Sequence, residues 1–453
     1  MPETIAVDVC VVGAGYAGLT AARRLTQAGK SVVVVEARDR VGGRIWSQQR
    51  DDGTVVDRGG AWLAPYHDAI FELAGEVGVT TYKTWVQGAH IQVGEDRIRR
   101  YTGLIPKISP VAIVAIALAQ ARVNRLAKRI PLDAPWTAAR ASEWDGRTVA
   151  WFLERSRIGN PSGRRLFEMA VRGLFATDSD NVSFLDLLML IRGHGGIDHL
   201  FSIEGGAQEN MVDGGAGVIA QRVADALGDA VQLRAPVRSI SQRDDRVTVS
   251  ADAVTVTARD AVVAVPPALA HEIDFSPALP DDRLALYRSA IGGSEAKTLI
   301  VYDEPFWRAD GLSGQTSEPD SVAEVTLDAT PAAGRPGVIA SFTFGPVAEQ
   351  AHRLDPGERR RAVVEAMQAR LGPRAGSPTD YVETAWWTEE WSRGCSVAHL
   401  PPGILTRHGH LLREPFGRVH WAGTETATTS HGAIDGAVRS GARAATEILD
   451  RDP

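Results

Sequence analysis

The sequence is poor in cysteine: Cys10 and Cys395 are the two thiols in 453 residues. Two thiols cannot form a disulfide framework, so nothing indicates folding in an oxidising compartment. The beginning of the chain, MPETIAVDVCVVGAG, also lacks the basic and apolar regions of a signal peptide. Together these absences predict a cytoplasmic protein.

Long apolar runs are missing as well. The longest run of interest, residues 111–119, has nine residues, whereas a membrane-spanning helix needs about 20. We therefore expect no transmembrane anchor. The run leads into Arg122, Arg125 and Arg129, which share one helical face. Such a face can lie on a membrane surface, but the favoured interpretation is a solvated face over a buried helix.

An excess of positive charge is also absent. The chain has 49 Lys and Arg against 56 Asp and Glu, which gives a net charge of −7. This mild acidity argues against a nucleic-acid partner. We find no internal repeat, no low-complexity linker and no cluster of metal ligands, so no bound metal is expected. The length and the 44% apolar composition predict a globular chain of two domains.

The first motif that the sequence contains is one typical of nucleotide binding. VDVCVVGAGYAGLTAARRLTQAGKSVVVVEA reads as strand, helix and strand, which is a βαβ unit. Gly13 permits a tight turn, Gly15 lets a pyrophosphate approach the backbone, and Gly18 allows close helix–strand packing. Glu36 ends the second strand, where it can accept hydrogen bonds from a ribose. Because all four features agree, a purely structural turn is a poor explanation.

Two further segments favour FAD over NAD. Gly43 and Arg44 follow the ribose acid closely and suggest a second phosphate contact from outside the βαβ unit. WAGTETA then places Gly423, Thr424 and Glu425 at the end of a late strand, and the following helix can point its N-terminus at an electron-rich ring edge. FAD is long enough to need both ends of the chain.

At this point the chain resembles the flavin-containing monoamine oxidases and their bacterial amine-oxidase relatives. The resemblance covers residues 7–449 and rests on VVVVEARDRVGGR, IPLDAPWTAARASEWD, GGAQENMVDGGAGVIAQRVADALGD, VVAVPP, VYDEPFWR, RGCSVAHLPPGILTRHG and WAGTETAT. It implies an α/β fold, with a Rossmann-like FAD-binding domain interleaved with an α+β substrate-binding domain. The expected FAD-binding domain comprises residues 1–81, 207–290 and 386–453. The expected substrate-binding domain comprises residues 82–206, predicted to be mostly helical, and residues 291–385.

The resemblance also implies individual cofactor contacts. Val237 matches the position whose backbone meets the adenine, Trp386 matches an aromatic residue beside the isoalloxazine, and Thr424 and Ile434 match contacts nearer the reactive end. The further positions predicted to bind FAD are Ala17, Glu36, Ala37, Arg38, Gly43, Arg44, Gly60, Ala61, Trp62, Cys395 and Ala433. Packing could explain any one of these residues, but it explains the whole set poorly.

The implied reaction moves a hydride equivalent from an amine α-carbon to the flavin, gives an imine, and reduces O2 to H2O2. The substrate reacts as the neutral amine, which an apolar pocket favours. Lys297 is the basic residue inside an apolar strand pattern, where burial of an ammonium is costly. It is either a strand-edge lysine that reaches water or, as the resemblance implies and as we favour, the lysine bonded through a water to the flavin. It is the predicted catalytic residue.

The chain departs from the family at the pair of aromatic rings that flank the reactive face of the flavin. Ser396 and Ala433 occupy these positions, so the space above the flavin should be wider and less aromatic than in the family. The predicted substrate pocket comprises Leu174, Phe201, Gln208, Ser396 and His431. His431 either fills part of the gap or is an ordinary turn residue.

Cys10 lies in the first strand of the βαβ unit and is most simply a small buried hydrophobe. Cys395 matches the cysteine that joins the flavin through a thioether in membrane-bound monoamine oxidases, and a thiolate is the nucleophile that such a bond requires. A covalent tether is therefore the favoured interpretation. A free thiol beside the ring and a filler residue are the alternatives.

Three functions remain open at this stage. The leading one is FAD-dependent oxidation of a bulky or atypical amine by O2. The second is a flavin oxidase or desaturase of a non-amine substrate, which the missing rings suggest. The third is a flavin-binding module without efficient catalysis, against which the retained Lys297 and Gln208 argue. Assembly as a homodimer is compatible with all three.

Overall fold

The computed structural model describes residues 3–94, 97–103, 110–156, 161–243 and 245–451. The strands, in chain order, are β1 (Glu3–Ala6), β2 (Val9–Val12), β3 (Val32–Val35), β4 (Ser47–Gln49), β5 (Val55–Asp57), β6 (Trp62–Leu63), β7 (Thr81–Lys83), β8 (Ala89–Val93), β9 (Ile98–Tyr101), β10 (Asn210–Val212), β11 (Val231–Gln232), β12 (Val237–Arg243), β13 (Arg246–Ala251), β14 (Val254–Ala258), β15 (Asp260–Val263), β16 (Asp274–Ser276), β17 (Ile291–Gly292), β18 (Glu295–Tyr302), β19 (Leu312–Ser317), β20 (Val325–Asp328), β21 (Gly337–Phe344), β22 (Asp380–Ala385), β23 (Ala398–His399) and β24 (Val419–Trp421).

The α-helices alternate with these strands. They are α1 (Tyr16–Gln27), α2 (Asp68–Glu76), α3 (Pro110–Ala127), α4 (Ala141–Asp145), α5 (Val149–Arg155), α6 (Pro161–Phe175), α7 (Phe184–Gly193), α8 (Ile197–Phe201), α9 (Gly217–Leu227), α10 (Pro267–Ala270), α11 (Asp281–Ser289), α12 (Phe306–Ala309), α13 (Gly345–Ala351), α14 (Pro356–Leu371), α15 (Leu405–His408) and α16 (Ile434–Leu449). In the described parts of the chain, no helix is long and apolar enough to cross a bilayer.

A five-stranded parallel sheet, ordered β11-β3-β2-β15-β24, carries the glycine loop. Strands β2, β3 and β15 are buried along their whole length, as the continuous valine-rich runs predict for a sheet covered on both faces. Helices α1 and α16 pack against each other on one face of this sheet. They approach closely because Gly441 has no side chain: a Cβ there would lie 2.0 Å from the Ala17 carbonyl oxygen. The predicted α/β, Rossmann-like fold is confirmed.

The parallel sheet draws its strands from three separated stretches of sequence, residues 9–35, 231–263 and 419–421. A second five-stranded sheet, β1-β14-β13-β12-β16, combines parallel and antiparallel pairs. Its strands β12, β13 and β14 lie within the second of these stretches, β1 precedes the first stretch and β16 follows the second. This interleaving accords with a discontinuous nucleotide-binding domain. The domain boundaries themselves stay a prediction.

The third large sheet has seven strands in the order β22-β18-β21-β20-β19-β8-β9. Its last two strands correct the sequence analysis, which expects residues 82–206 to be mostly helical. Residues 89–93 and 98–101 instead form an antiparallel hairpin at the sheet edge. The hairpin is rich in charged and polar residues, which hides its strand pattern, while Ile91 is fully buried against the sheet core. The predicted helices begin at α3.

Helix α3 also differs in part from its prediction. Val123 and Ala127 are buried and Arg122, Arg125 and Arg129 are exposed, as expected for a solvated basic face over a packed helix. The first half of the helix, however, exposes apolar side chains. The other face of the helix lines a cavity.

Candidate active site

One large cavity, with a volume of about 710 Å³, begins at the glycine loop and ends among helices α3, α6, α7 and α8. At the first end it is lined by Gly13, Gly15, Glu36 and Arg38. At the other end the wall is largely apolar. This volume is typical of sites that enclose a cofactor or a drug-sized ligand.

The glycine loop has the geometry that its sequence predicts. Gly13 has a φ of +100°, which disfavours any residue with a side chain. A Cβ on Gly18 would lie 1.9 Å from the Gly13 carbonyl oxygen, so Gly18 allows the close helix–strand approach without lining the cavity. A Cβ on Gly15 would meet nothing nearer than the Gly43 Cα at 4.0 Å. The backbone at Gly15 is therefore open to a ligand from the cavity side.

Glu36 is held at the end of β3 by backbone donors. The amide of Ala14 donates to its Oε2 at 2.7 Å and the amide of Arg38 donates to its Oε1 at 3.0 Å. The carboxylate is thus fixed in orientation on the cavity wall. Each oxygen keeps a second lone pair for a ligand hydroxyl.

Arg44, which is half-buried, and the buried Glu425 form a bidentate ion pair that joins two distant segments. Their N–O distances are 2.6 and 2.9 Å. Arg44 also donates to the Ser396 carbonyl oxygen at 2.8 Å, and the amide of Ala398 donates to Glu425 at 3.2 Å. Glu425 therefore positions Arg44 and the segment after Cys395 from behind the cavity wall.

Lys297 lies on β18 and is fully buried, with 2% of its surface exposed. Its Nζ donates to the Gly59 carbonyl oxygen at 2.7 Å and lies 4.8 Å from the centroid of the Trp62 ring. Burial lowers the pKa of Lys297 to about 8, although Asp57 and Glu295 act in the opposite direction. The alternative of a lysine that reaches water at a strand edge is wrong, because this side chain is enclosed.

Glu295, two residues before Lys297 on the same strand, is a cavity residue that no sequence motif singles out. Burial raises the pKa of Glu295 to about 7, with Lys297 opposing the shift. Among the described residues its carboxylate has no hydrogen-bond donor and no ion-pair partner within 4 Å. The available signal was a carboxylate at the start of an otherwise apolar strand.

Cys395, Ser396 and Ala433 all line the cavity, so the predicted pair of substituted positions lies on its wall. The rings that do line this end come from other elements and include Phe201, Phe342 and Phe344. Burial, followed by the charge of Glu295, raises the pKa of the Cys395 thiol. The thiol is therefore protonated at neutral pH.

The predicted substrate-pocket residues come together at the far end. Leu174, Phe201, Gln208 and His431 all line the cavity. The Gln208 side chain donates to the Leu200 carbonyl oxygen at 3.4 Å. Burial lowers the pKa of His431 to about 4, so its ring is neutral, and its Nδ1 has no partner within the described part of the chain.

Most of the predicted site residues border this one cavity. They are Gly13, Gly15, Ala17, Glu36, Ala37, Arg38, Gly43, Arg44, Gly60, Ala61, Trp62, Leu174, Phe201, Gln208, Val237, Cys395, Ser396, Gly423, Thr424, His431, Ala433 and Ile434. Four others lie behind its wall, namely Gly18, Lys297, Trp386 and Glu425. The segment at Gly59 covers both Lys297 and Trp386. The Gly59 carbonyl oxygen accepts the hydrogen bond from Lys297 Nζ, and a Cβ on Gly59 would lie only 3.0 Å from the Trp386 ring.

The residues present fit a flavin dinucleotide. The open backbone at Gly15 and the fixed Glu36 carboxylate suit a pyrophosphate and a ribose. The buried Nε1 of Trp62 and Nδ1 of His431 have no hydrogen-bond partner within the described residues, and both side chains border the cavity. Groups of histidine, cysteine, aspartate and glutamate that could hold a metal ion do not occur in the part of the chain that the structure describes.

The fold and this cavity define a dinucleotide-dependent oxidoreductase of the FAD-binding type. Residues 16–449 match the family described as flavin containing amine oxidoreductase. Amine oxidase [flavin-containing] A of Sus scrofa is 34% identical over 449 residues, covering 98% of this chain and 85% of its own length. The protein AofH of Mycobacterium tuberculosis, whose name places it with the flavin-containing monoamine oxidases, is 40% identical over 442 residues, covering 98% of this chain and 96% of its own length.

Solved structures agree with the sequence relatives. Wild-type putrescine oxidase bound to putrescine has a TM-score of 0.95 and 32% identity, covering 99% of this chain and 100% of that one. Cyclohexylamine oxidase from Brevibacterium oxydans IH-35A has a TM-score of 0.93 and 33% identity, covering 98% of this chain and 99% of that one. The chain belongs to the flavin-containing amine oxidoreductase family, and it is an FAD-dependent amine oxidase.

Proposed function

We propose that this enzyme oxidises bulky, largely apolar amines to imines, with O2 as the electron acceptor and H2O2 as the product. The observation that carries the proposal is the position of Ser396 and Ala433 on the cavity wall beside Cys395. A hydroxymethyl and a methyl group leave room that two large rings would fill. The solved relatives act on putrescine and on cyclohexylamine, so the framework accommodates both a linear and a cyclic amine.

The cavity wall contributes by desolvation. Its far end is lined by Leu174, Phe201, Phe342 and Phe344, which exclude water from a bound amine. An apolar surrounding disfavours the ammonium form, so the substrate loses its proton more easily on binding. FAD, when bound, supplies a hydride acceptor for the amine α-carbon and a route for the electrons to O2.

Lys297 is the proposed catalytic residue, acting through its charge. Its Nζ is fixed by the Gly59 carbonyl oxygen directly behind the cavity wall. A cation held in place in a water-poor site stabilises developing negative charge without reorganisation. We place this effect on the step in which O2 is reduced.

Cys395 is the residue through which we infer a covalent flavin link. It lies on the cavity wall, where the charge of Glu295 acts on its thiol. Its raised pKa means that the thiol must lose its proton before it can form a thioether. Acid precipitation of the purified protein and intact mass will test the link: we expect a yellow pellet and about one FAD of added mass, both lost in Cys395→Ala.

Peroxide release with a graded series of amines tests the proposed function. We expect turnover to rise from benzylamine-sized substrates to larger arylalkylamines and cycloalkylamines. Anaerobic mixing with the same amines should bleach the flavin absorbance. Bleaching without peroxide on admission of air would contradict the role of O2, and a preference for the smallest amines would contradict the bulky substrate. The homodimer and the cytoplasmic location stay predictions.

A further inference from the structure

Helix α3 has two opposite faces with different surroundings. Ile116, Ala119, Gln120 and Val123 line the large cavity. The opposite face carries Val111, Val114, Leu118, Arg122 and Arg125, spaced at three or four residues so that they form one continuous stripe, and Arg129 extends it in the turn after the helix. We call these six residues the α3 stripe.

The first half of the α3 stripe is apolar and open. Val111, Val114 and Leu118 are 79%, 58% and 65% exposed. Single exposed aliphatic residues are ordinary on a protein surface. Three in a row on one helical face form a patch, which typically marks an interaction surface.

The second half of the α3 stripe is basic and borders its own cavity. Arg122, Arg125 and Arg129 line a space of about 180 Å³ together with Arg140, over a floor formed by Trp144, Trp151, Phe152 and Phe184. Arg122 lies 5.5 Å from the Phe152 ring centroid. Within the described residues the three arginines of the stripe have no carboxylate partner. Arg140 is the exception at this cavity, since it pairs with Glu143.

We propose that the α3 stripe docks on the surface of an anionic lipid bilayer. The apolar half would lie among the upper acyl chains, and the arginine cavity would hold a headgroup phosphate. Amphipathic helices bind membrane interfaces in this way, through apolar burial and attraction to anionic lipids. Arginine presents a planar set of donors that suits phosphate. This mode of binding requires no spanning segment.

A lipid surface suits the stripe better than a second copy of this chain. Residues 110–132 contain no aspartate or glutamate. A symmetric pairing of two stripes would therefore leave six arginines without a carboxylate partner within the stripe. An anionic bilayer supplies apolar chains and phosphates in the same relative order as the two halves of the stripe. Docking would also bring the cavity wall formed by α3 close to the bilayer, where apolar amines concentrate.

Vesicle flotation of the full-length holoenzyme tests the proposal. We expect flotation with phosphatidylcholine vesicles that contain about 30% phosphatidylglycerol, weakened by salt, and little with phosphatidylcholine alone. Arg122→Gln with Arg125→Gln and Arg129→Gln should lower the partition coefficient by roughly 100-fold, since each arginine near an anionic surface contributes strongly. Leu118→Ser should lower it independently.

The matched control variant carries Arg246→Gln, Arg353→Gln and Arg361→Gln. These substitutions remove the same amount of charge from exposed arginines that lie outside the stripe. This control should float like the wild type. Absence of flotation, or an equal loss in the control, would overturn the proposal. A thermal shift with inorganic phosphate but no flotation would overturn it in favour of a small-anion site. A dimer in sedimentation velocity that Leu118→Ser dissociates, again without flotation, would overturn it in favour of a second copy.

Discussion

The two ends of the large cavity are built in different ways. At the nucleotide end the wall is mostly backbone: Gly13 and Gly15 form the turn, and amide donors orient Glu36. At the substrate end the wall is mostly side chain, contributed by α3, α6, α8 and β21. A backbone wall tolerates few substitutions, because the path of the main chain forms the wall and any change in its shape also changes the fold. A side-chain wall can change its size and charge while the fold persists.

The largest effect should follow the loss of the ion pair between Arg44 and Glu425. Glu425→Ala leaves Arg44, which is half-buried on the cavity wall, without a counter-ion, and breaking a buried pair costs up to about 3–5 kcal/mol. We expect a large fall in the midpoint of urea unfolding and a loss of bound flavin. Glu143→Ala removes the exposed partner of Arg140 and is the control, with an expected change below about 1 kcal/mol. Equal changes in the unfolding midpoint of the two variants would show that the Arg44–Glu425 pair stabilises the fold no more than an exposed pair does.

A smaller but still severe effect is expected from the glycine loop. Gly18→Ala places a Cβ 1.9 Å from the Gly13 carbonyl oxygen, so the helix must move away from the strand. Overpacking of this kind costs about 1–3 kcal/mol, and the displaced loop should bind flavin more weakly. Gly75→Ala in α2 meets no atom within 4 Å and should be neutral or stabilising. Measured flavin content and Tm of both variants will show whether the backbone wall is as intolerant as the comparison implies.

Lys297→Met should slow reoxidation by O2 by about 10²-fold while the flavin stays bound. The residue lies behind the wall rather than on it, so its loss removes charge without removing a surface contact. Stopped-flow mixing of the reduced enzyme with O2 will measure this rate. An unchanged rate would remove Lys297 from the mechanism.

The same rate should depend on pH in the wild type. Because burial lowers the pKa of Lys297 to about 8, the lysine is charged below that value and neutral above it, and reoxidation should slow as the pH rises through about 8. Glu295→Gln removes an anion that favours the charged lysine, so the midpoint should move to lower pH. A midpoint that is the same in both enzymes would show that Glu295 does not act on Lys297.

The smallest change in stability and the clearest change in selectivity should come from the substrate end. Ser396→Tyr with Ala433→Tyr should keep the flavin and shift kcat/KM toward small arylalkylamines. One methylene in a hydrophobic pocket discriminates by about 10-fold or more, so two rings should have a measurable effect. An identical order of preference across small and large amines would contradict the proposed pocket. Loss of flavin from this variant would show that side chains at the substrate end cannot change independently of the cofactor site, which would contradict the difference between the two ends.

The same contrast explains what the sequence could predict. Glycine turns, parallel valine-rich strands and the acid after β3 follow local rules, and they were placed correctly. The hairpin of β8 and β9 was missed because one charged edge hides its strand alternation. Glu295 was missed because a carboxylate becomes significant only when its burial and its neighbours are known. The sequence context predicts Lys297 and Trp386 as site residues, but only the fold shows that the segment at Gly59 separates them from the cavity.

The order of strands in the parallel sheet has a consequence for biosynthesis. Strand β24 completes the sheet beside β15, and Glu425 follows it to meet Arg44, which is 381 residues earlier. At a synthesis rate of about 5–20 residues per second, Arg44 waits on the order of 20–80 s for its counter-ion. From the synthesis of β15 until the synthesis of β24, the nascent chain exposes the edge of β15. Cofactor capture should therefore follow translation of the last strand.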